Sequence, residues 1–198
     1  MTRFAKKTRF AYANESNFKL AGLEIDEVET QHLILRRIHE NDTASLHQCY
    51  SDPDVMKLMP GGVKSLEAST QSVIRKIDHW HQRGFGLWSV VEKLSGIVIG
   101  HCGLVWSDHQ GGVEVGYLIA KEHWNKGFVT SAVRASLAVG FESMGVNRIF
   151  AVASPENIAS RRIMEKVGMV NLGEKSLPSY PLIQYGITTD AYYKFNQK

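Results

Sequence analysis

The 198-residue chain has no run of about 18 apolar residues, so a membrane-spanning helix is not expected. Its basic start has no apolar stretch behind it, which argues against a secretory signal. Cysteine is scarce. Cys49 and Cys102 show no paired metal spacing and read as free thiols of a reducing cytoplasm, the expected location. No metal is expected elsewhere: His79 and His81 flank Trp80, and residues two apart on a helix point to different faces. Internal repeats and low-complexity tracts are also missing. So is a strong charge on the body. Residues 1–20 hold five basic residues and one acid, a net +4, and the remainder carries −1. The basic arm carries Phe4, Phe10, Tyr12 and Phe18, a composition that can bind acidic partners. A tail packed on its own domain or a neighbour is the simpler reading, and nucleic acid is not expected as a partner.

What is present describes one soluble globular domain: 43% hydrophobic and 22% charged residues, in a chain long enough to bury a core. Residues 1–28 show no clear period and form an N-terminal extension; the domain occupies 29–198. A strand is predicted within Thr30–Ile38, then a helix capped by Asn41 or Asp42 and interrupted at Pro53. Val55 to Met59 adds a helical turn before the Pro60-Gly61-Gly62 loop. Ser65 caps a helix with Val73, Ile74, Ile77 and Trp80 at helical spacing, and Gly84 ends it. Three strands follow, Gly86–Val91, Ile97–Trp106 and Val113–Ile119, with short antiparallel connections.

The next stretch, His123 to Val133, reads as a strand end, a glycine turn and a helix start. A helix start leaves backbone N–H groups without partners and carries the positive end of the dipole, and glycine admits a ligand close to the backbone. That is a seat for an anion such as phosphate, or a plain strand–helix connection. The helix stripe runs Val129, Ala132, Val133, Leu137, Phe141 and Met144 to a stop at Gly145. Strand Arg148–Ala153 completes a parallel βαβ unit. A helix Ile158–Val167, strands Met169–Leu172 and Leu182–Ile187, and a short helix capped by Thr189 close the chain. The fold class is α+β, a mixed sheet with helices on its faces.

Four segments, in order, resemble motifs of one family. Asp52-Pro53-Asp54-Val55-Met56 is similar to "SDPEVM", Glu114-Val115-Gly116-Tyr117 to "EIGY", and Trp124 through Ala132 to "WGKGYATEA". Asn157 through Met169 is similar to "NxxSxrvlEKlGF". From Thr30 to about Ile187 the chain thus resembles the GNAT acyl-CoA N-acetyltransferases, in the branch of the RimJ/RimL ribosomal-protein N-terminal acetyltransferases. The resemblance implies a mostly antiparallel sheet whose fourth and fifth strands, here Val113–Ile119 and Arg148–Ala153, splay apart to hold acetyl-CoA as co-substrate, with no metal. It implies transfer of an acetyl group to a primary amine, either a protein N-terminal Ser or Ala or a small molecule. A homodimer is a common arrangement in such families. Two positions depart from the pattern. Val129 stands where the wider family has Gly or Ala, and Met164 where many members carry a Tyr that protonates the thiolate. A non-catalytic, CoA-binding or partner-binding member is the alternative these departures favour.

On the implied chemistry, Glu114 is the candidate base and Ser160 the candidate donor to the thiolate. The plain readings are a hairpin glutamate and a small helix residue facing the sheet. His101, Asp108, His109 and Glu174 are further base candidates, with His101 read mainly as a packed or substrate-facing histidine. The cofactor contacts implied are Leu118, Ile119, Trp124, Asn125, Lys126, Gly127, Phe128, Val129, Thr130, Asn157, Ser160 and Arg161. A backbone N–H near Leu118 or Ile119 would receive the oxyanion. Asn157 also suits a helix cap. Lys126, Arg161 and Arg162 have the charge to reach phosphates.

Overall fold

Alternating apolar residues Leu33 and Leu35, both fully buried, make the first long strand of the sheet. The computed structural model describes residues 25–177 and 180–197; the basic arm lies outside the described residues. Among these, eight strands form one sheet: β1 (Glu27–Glu29), β2 (Leu33–Arg37), β3 (Leu87–Glu92), β4 (Val98–Ser107), β5 (Gly112–Ile119), β6 (Arg148–Ala153), β7 (Val170–Leu177) and β8 (Tyr180–Thr188). Their spatial order is β1-β2-β3-β4-β5-β6-β8-β7. The helices are α1 (Thr43–Ser51), α2 (Pro53–Met56), α3 (Leu66–Arg83), α4 (Phe128–Ala138), α5 (Ile158–Lys166) and α6 (Thr189–Asn196).

The sheet is antiparallel except at β5 and β6, which run parallel. The pair is short. Only Val113 with Ile149 and Glu114 with Phe150 are in register, and beyond them the two strands part. The expected splay is therefore present, between the fifth and sixth strands of this chain. Gly100 on β4 helps shape it. A Cβ there would collide with the Leu118 carbonyl oxygen and Ile119 Cα of β5, so only glycine permits this close approach.

Two buried clusters pack against the sheet. One joins Val113, Val115 and Ile119 of β5 to Ala132 and Val133 of α4 and Met164 of α5. The other joins Leu118 to Leu46, Cys49 and Tyr50 of α1 and Val73 of α3. Alternation along β5 thus sends odd residues to the α4 side and even residues, Glu114 among them, to the α1 side. Burial of each large side chain contributes about 1.5–3 kcal/mol.

Local differences from expectation have physical causes. The sheet begins at Glu27, inside the expected extension, because the three-residue β1 buries only Val28 and has too little pattern to read. Asp42 precedes α1, but its side chain makes no cap bond to α1; its oxygens accept two bonds from Arg36 (2.7 and 2.8 Å) and one from Ser89 (2.7 Å). Thr188, and not Thr189, caps α6, while the Thr189 hydroxyl donates to the Val146 carbonyl. After α4 the chain widens into a π turn, Val139–Ser143, before Gly145 stops it at φ +68°. Strand β7 is longer than expected and lies at the edge, since β8 inserts between it and β6.

Candidate active site at the strand splay

Glu114 is the last residue of β5 in register with β6, so its side chain stands where the splay opens. It is half-buried, and burial pushes its carboxyl above the ordinary value of 4.5. Hydrogen bonds from Ser107 and Gln110, and the charges of His109 and Lys175, oppose that shift without cancelling it. Gln110 ties this corner to the far strands: its side-chain oxygen accepts from Lys175 of β7 and from Gln184 of β8.

Beyond Glu114, residues 115–119 have no β6 partner in register, and neither do residues 151–153 on the other side. Unpaired strand edges carry free N–H and C=O groups, which suit an amide-bearing pantetheine arm. The Ile119 carbonyl is already engaged, accepting from Trp124 Nε1 at 3.0 Å. The side chains of Leu118 and Ile119 are buried in opposite clusters, so only their backbone can serve a ligand.

The turn that follows has Asn125 at φ +60° and Gly127 at φ +77°, with a negative φ at Lys126 between them. Such alternation turns successive N–H groups toward one side and favours an anion. Gly127 has no atom within 4 Å of where a Cβ would stand, so its role is conformational freedom and open space for a ligand. The first-turn N–H groups of α4, at Phe128, Val129 and Thr130, lie next to it. Val129 is half-buried and packs on the main core, which accounts for a bulky residue at this position. Lys126 is exposed, its ammonium 6.0 Å from the Phe128 ring centre, and Phe128 stacks on His123. These residues fit a pyrophosphate group.

On the other side of the splay, Asn157 caps α5: its side-chain oxygen accepts from the Ser160 N–H at 3.0 Å. The Ser160 hydroxyl lies 2.8 Å from the Tyr117 hydroxyl of β5. Arg161 is held locally, donating from Nε to the Tyr185 hydroxyl and from Nη1 to the Pro155 carbonyl, both at 3.2 Å. Arg162 is exposed. Met164 is 1% exposed and belongs to the core.

The remaining base candidates are placed elsewhere. His101 is buried against Tyr50, whose hydroxyl lies 3.1 Å from its Nδ1, and burial holds its pKa well below the ordinary value, so it stays neutral. Asp108 accepts from Trp106 Nε1 on the hairpin beyond β4, and Glu174 is exposed on β7. His109 lies close enough to act on Glu114 through its charge.

Sequence reasoning missed four residues. Tyr117 lay within the quoted β5 segment; a hydroxyl on the apolar odd-numbered face was the available signal. Tyr50 and Lys76 stack on the α1 side, with the Lys76 ammonium 5.2 Å from the Tyr50 ring centre and bonded to the Ser72 hydroxyl at 2.8 Å. Burial lowers Lys76 to about 8. Tyr180 of β8 crosses to the segment after α2, its hydroxyl donating to the Leu58 carbonyl at 3.0 Å.

Residues 32–170 match the family profile described as "Acetyltransferase (GNAT) domain". The chain is 31% identical over 151 residues to the uncharacterized N-acetyltransferase p20 of Bacillus licheniformis, spanning 75% of this chain and 85% of that protein. An acetyltransferase (GNAT family) from Bacillus anthracis superposes with a TM-score of 0.74 at 28% identity, over 83% of this chain and 99% of that one. The ribosomal-protein-S5-alanine acetyltransferase of Vibrio fischeri shares the fold, with a TM-score of 0.68 at 20% identity, over 84% of this chain and 98% of that one.

Proposed function

Because the chain belongs to the GNAT acetyltransferase family and is an N-acetyltransferase, we propose that it moves an acetyl group from acetyl-CoA to a primary amine by direct attack on the thioester in the β5–β6 splay. One observation carries the assignment of roles: Glu114, with its raised carboxyl pKa, stands where the two strands part. A free α-amino group has a pKa of about 7.7–8.0 and a lysine about 10.4, so the acceptor must lose a proton to react. A carboxylate of raised pKa is better matched to take it, directly or through one water.

Glu114 accepts the proton of the amine as the N–C bond forms. A backbone N–H of the unpaired β5 edge, near Leu118 or Ile119, donates to the carbonyl oxygen as charge gathers there. Ser160 donates to the sulfur as the C–S bond breaks and its electron pair moves onto sulfur. The turn at Asn125–Gly127 and the start of α4 hold the pyrophosphate, with Lys126 as the nearby cation. No covalent enzyme intermediate is required.

For the acceptor, we favour a protein N-terminal Ser or Ala. The four motifs that resemble the ribosomal-protein branch support it. Two buried free cysteines fit a protein-modifying enzyme of a reducing cytoplasm. Thiol release from acetyl-CoA, measured with N-terminal Ser and Ala peptides and with small amines, tests the reading. Turnover with a peptide, lost in Glu114→Gln and Ser160→Ala, is expected. Acetyl-CoA binding with turnover only of small amines would overturn the acceptor assignment, and undiminished turnover in Glu114→Gln would overturn the base.

A further inference from the structure

We propose that Tyr117 is a positioning residue for Ser160: reaching across the splay, its phenol hydrogen-bonds the serine oxygen and directs the serine hydroxyl hydrogen toward the sulfur that leaves the acetyl group. The inference rests on the CoA site described above and deepens it.

Tyr117 sits in the part of β5 that has lost its β6 neighbour, on the face shared with Val113 and Val115. Its ring packs on the apolar core, where an unbonded hydroxyl would be costly. Both partners of that hydroxyl belong to one residue of another element: Ser160 Oγ at 2.8 Å and the Ser160 carbonyl at 3.2 Å. A core tyrosine needs only some acceptor. Here the bond joins β5 to α5, strand to helix, at the residue proposed above to meet the thiolate.

Each hydroxyl has one hydrogen. With no anion present, Tyr117 can donate to the Ser160 carbonyl while Ser160 donates to the phenol oxygen. When negative charge develops beside Ser160, its hydrogen turns to that charge and Tyr117 donates to the vacated Oγ. Both hydrogens stay on their own oxygens, so no proton transfer is required. The two bonds then point the same way and strengthen one another. The bond between Ser160 N–H and Asn157 fixes the first turn of α5, so the serine oxygen starts from a fixed place. Met164, one turn beyond Ser160 on α5, cannot donate and lies in the core.

The test needs no knowledge of the acceptor. The thiol of bound CoA is titrated by the ultraviolet absorbance of its thiolate, in the wild type, Tyr117→Phe, Ser160→Ala and the double variant. The wild type should hold the thiol pKa below that of free CoA. Tyr117→Phe should raise it by about one unit, Ser160→Ala by at least as much, and the double variant by no more than Ser160→Ala alone. A site-specific fluorotyrosine at position 117 keeps ring and hydroxyl but is a stronger donor, and should lower the thiol pKa. An unchanged thiol pKa in Tyr117→Phe and in the fluorotyrosine protein, with Ser160→Ala still shifted, would overturn the role of Tyr117 and leave the CoA site standing. Failure of CoA to bind the wild type at all would overturn both.

Discussion

Glu114, the proposed base, would serve function at the expense of fold. Its carboxyl titrates above the ordinary value of 4.5 because burial disfavours the charge. The sign follows from linkage. Below 4.5 the group is neutral in both states and carries no penalty. As pH rises from 4.5 through the folded-state value, the unfolded chain ionises first and stability is lost. Glu114→Gln should therefore be at least as stable as the wild type at neutral pH, in denaturant melts, while kcat/KM falls about 100-fold or more. In the wild type, the acid limb of kcat/KM should lie above the ordinary carboxyl value of 4.5 and vanish in the variant. A variant that is both inactive and strongly destabilised would point to a structural glutamate. At this scale much was readable. Glu114, Asn157 and Ser160 could be singled out from motif residues, but the Tyr117–Ser160 contact could not, since it depends on how far β5 and α5 stand apart.

At the scale of the element, the boundaries that were legible are those set by local chemistry. Ser65 starts α3, its hydroxyl accepting from the Ala68 N–H at 3.1 Å, and Gly84 ends it at φ +76°. Asp42 holds the N-cap position of α1 as expected, but it makes no cap bond because Arg36, Ser89 and the His39 N–H engage its carboxylate. Burial alone would raise its pKa, yet the bonds from Arg36, the His39 N–H and Ser89 lower it below the ordinary 3.8. Its contribution to stability is thus present above 3.8 and lost as pH falls through the folded value. Arg36→Met strands that carboxylate, 5% exposed, and should cost about 3 kcal/mol in denaturant unfolding at neutral pH. A loss under about 1 kcal/mol would mean solvent replaces the guanidinium. Lys76 on α3 gives the opposite sign. Its folded-state pKa of about 8 lies below the ordinary 10.5, so stability should rise as pH climbs from about 8 toward 10.5. Lys76→Met should flatten that rise and add about 2 kcal/mol at neutral pH. A variant with the wild-type pH slope would show that the ammonium is solvated.

For the whole molecule, strand periodicity and short hairpins made the antiparallel β3–β4–β5 meander legible, and the β5–α4–β6 crossover made the parallel pair legible. The insertion of β8 between β6 and β7 was not, because strand order is decided by long-range packing and leaves no local pattern. Nor was the reach of Tyr180 to Leu58, which joins residues 122 apart in sequence. The splay itself follows from topology: one short parallel pair, Val113 with Ile149 and Glu114 with Phe150, holds two halves of the sheet together and leaves an open edge beside it. The measurement that tests this account most directly is amide hydrogen exchange with and without acetyl-CoA. Protection should appear at residues 115–119 of β5 and at 125–130 of the turn and α4 start, with little change on the β1 and β7 edges. Protection confined to other segments, or none at saturating acetyl-CoA, would contradict a cofactor site in the β5–β6 splay.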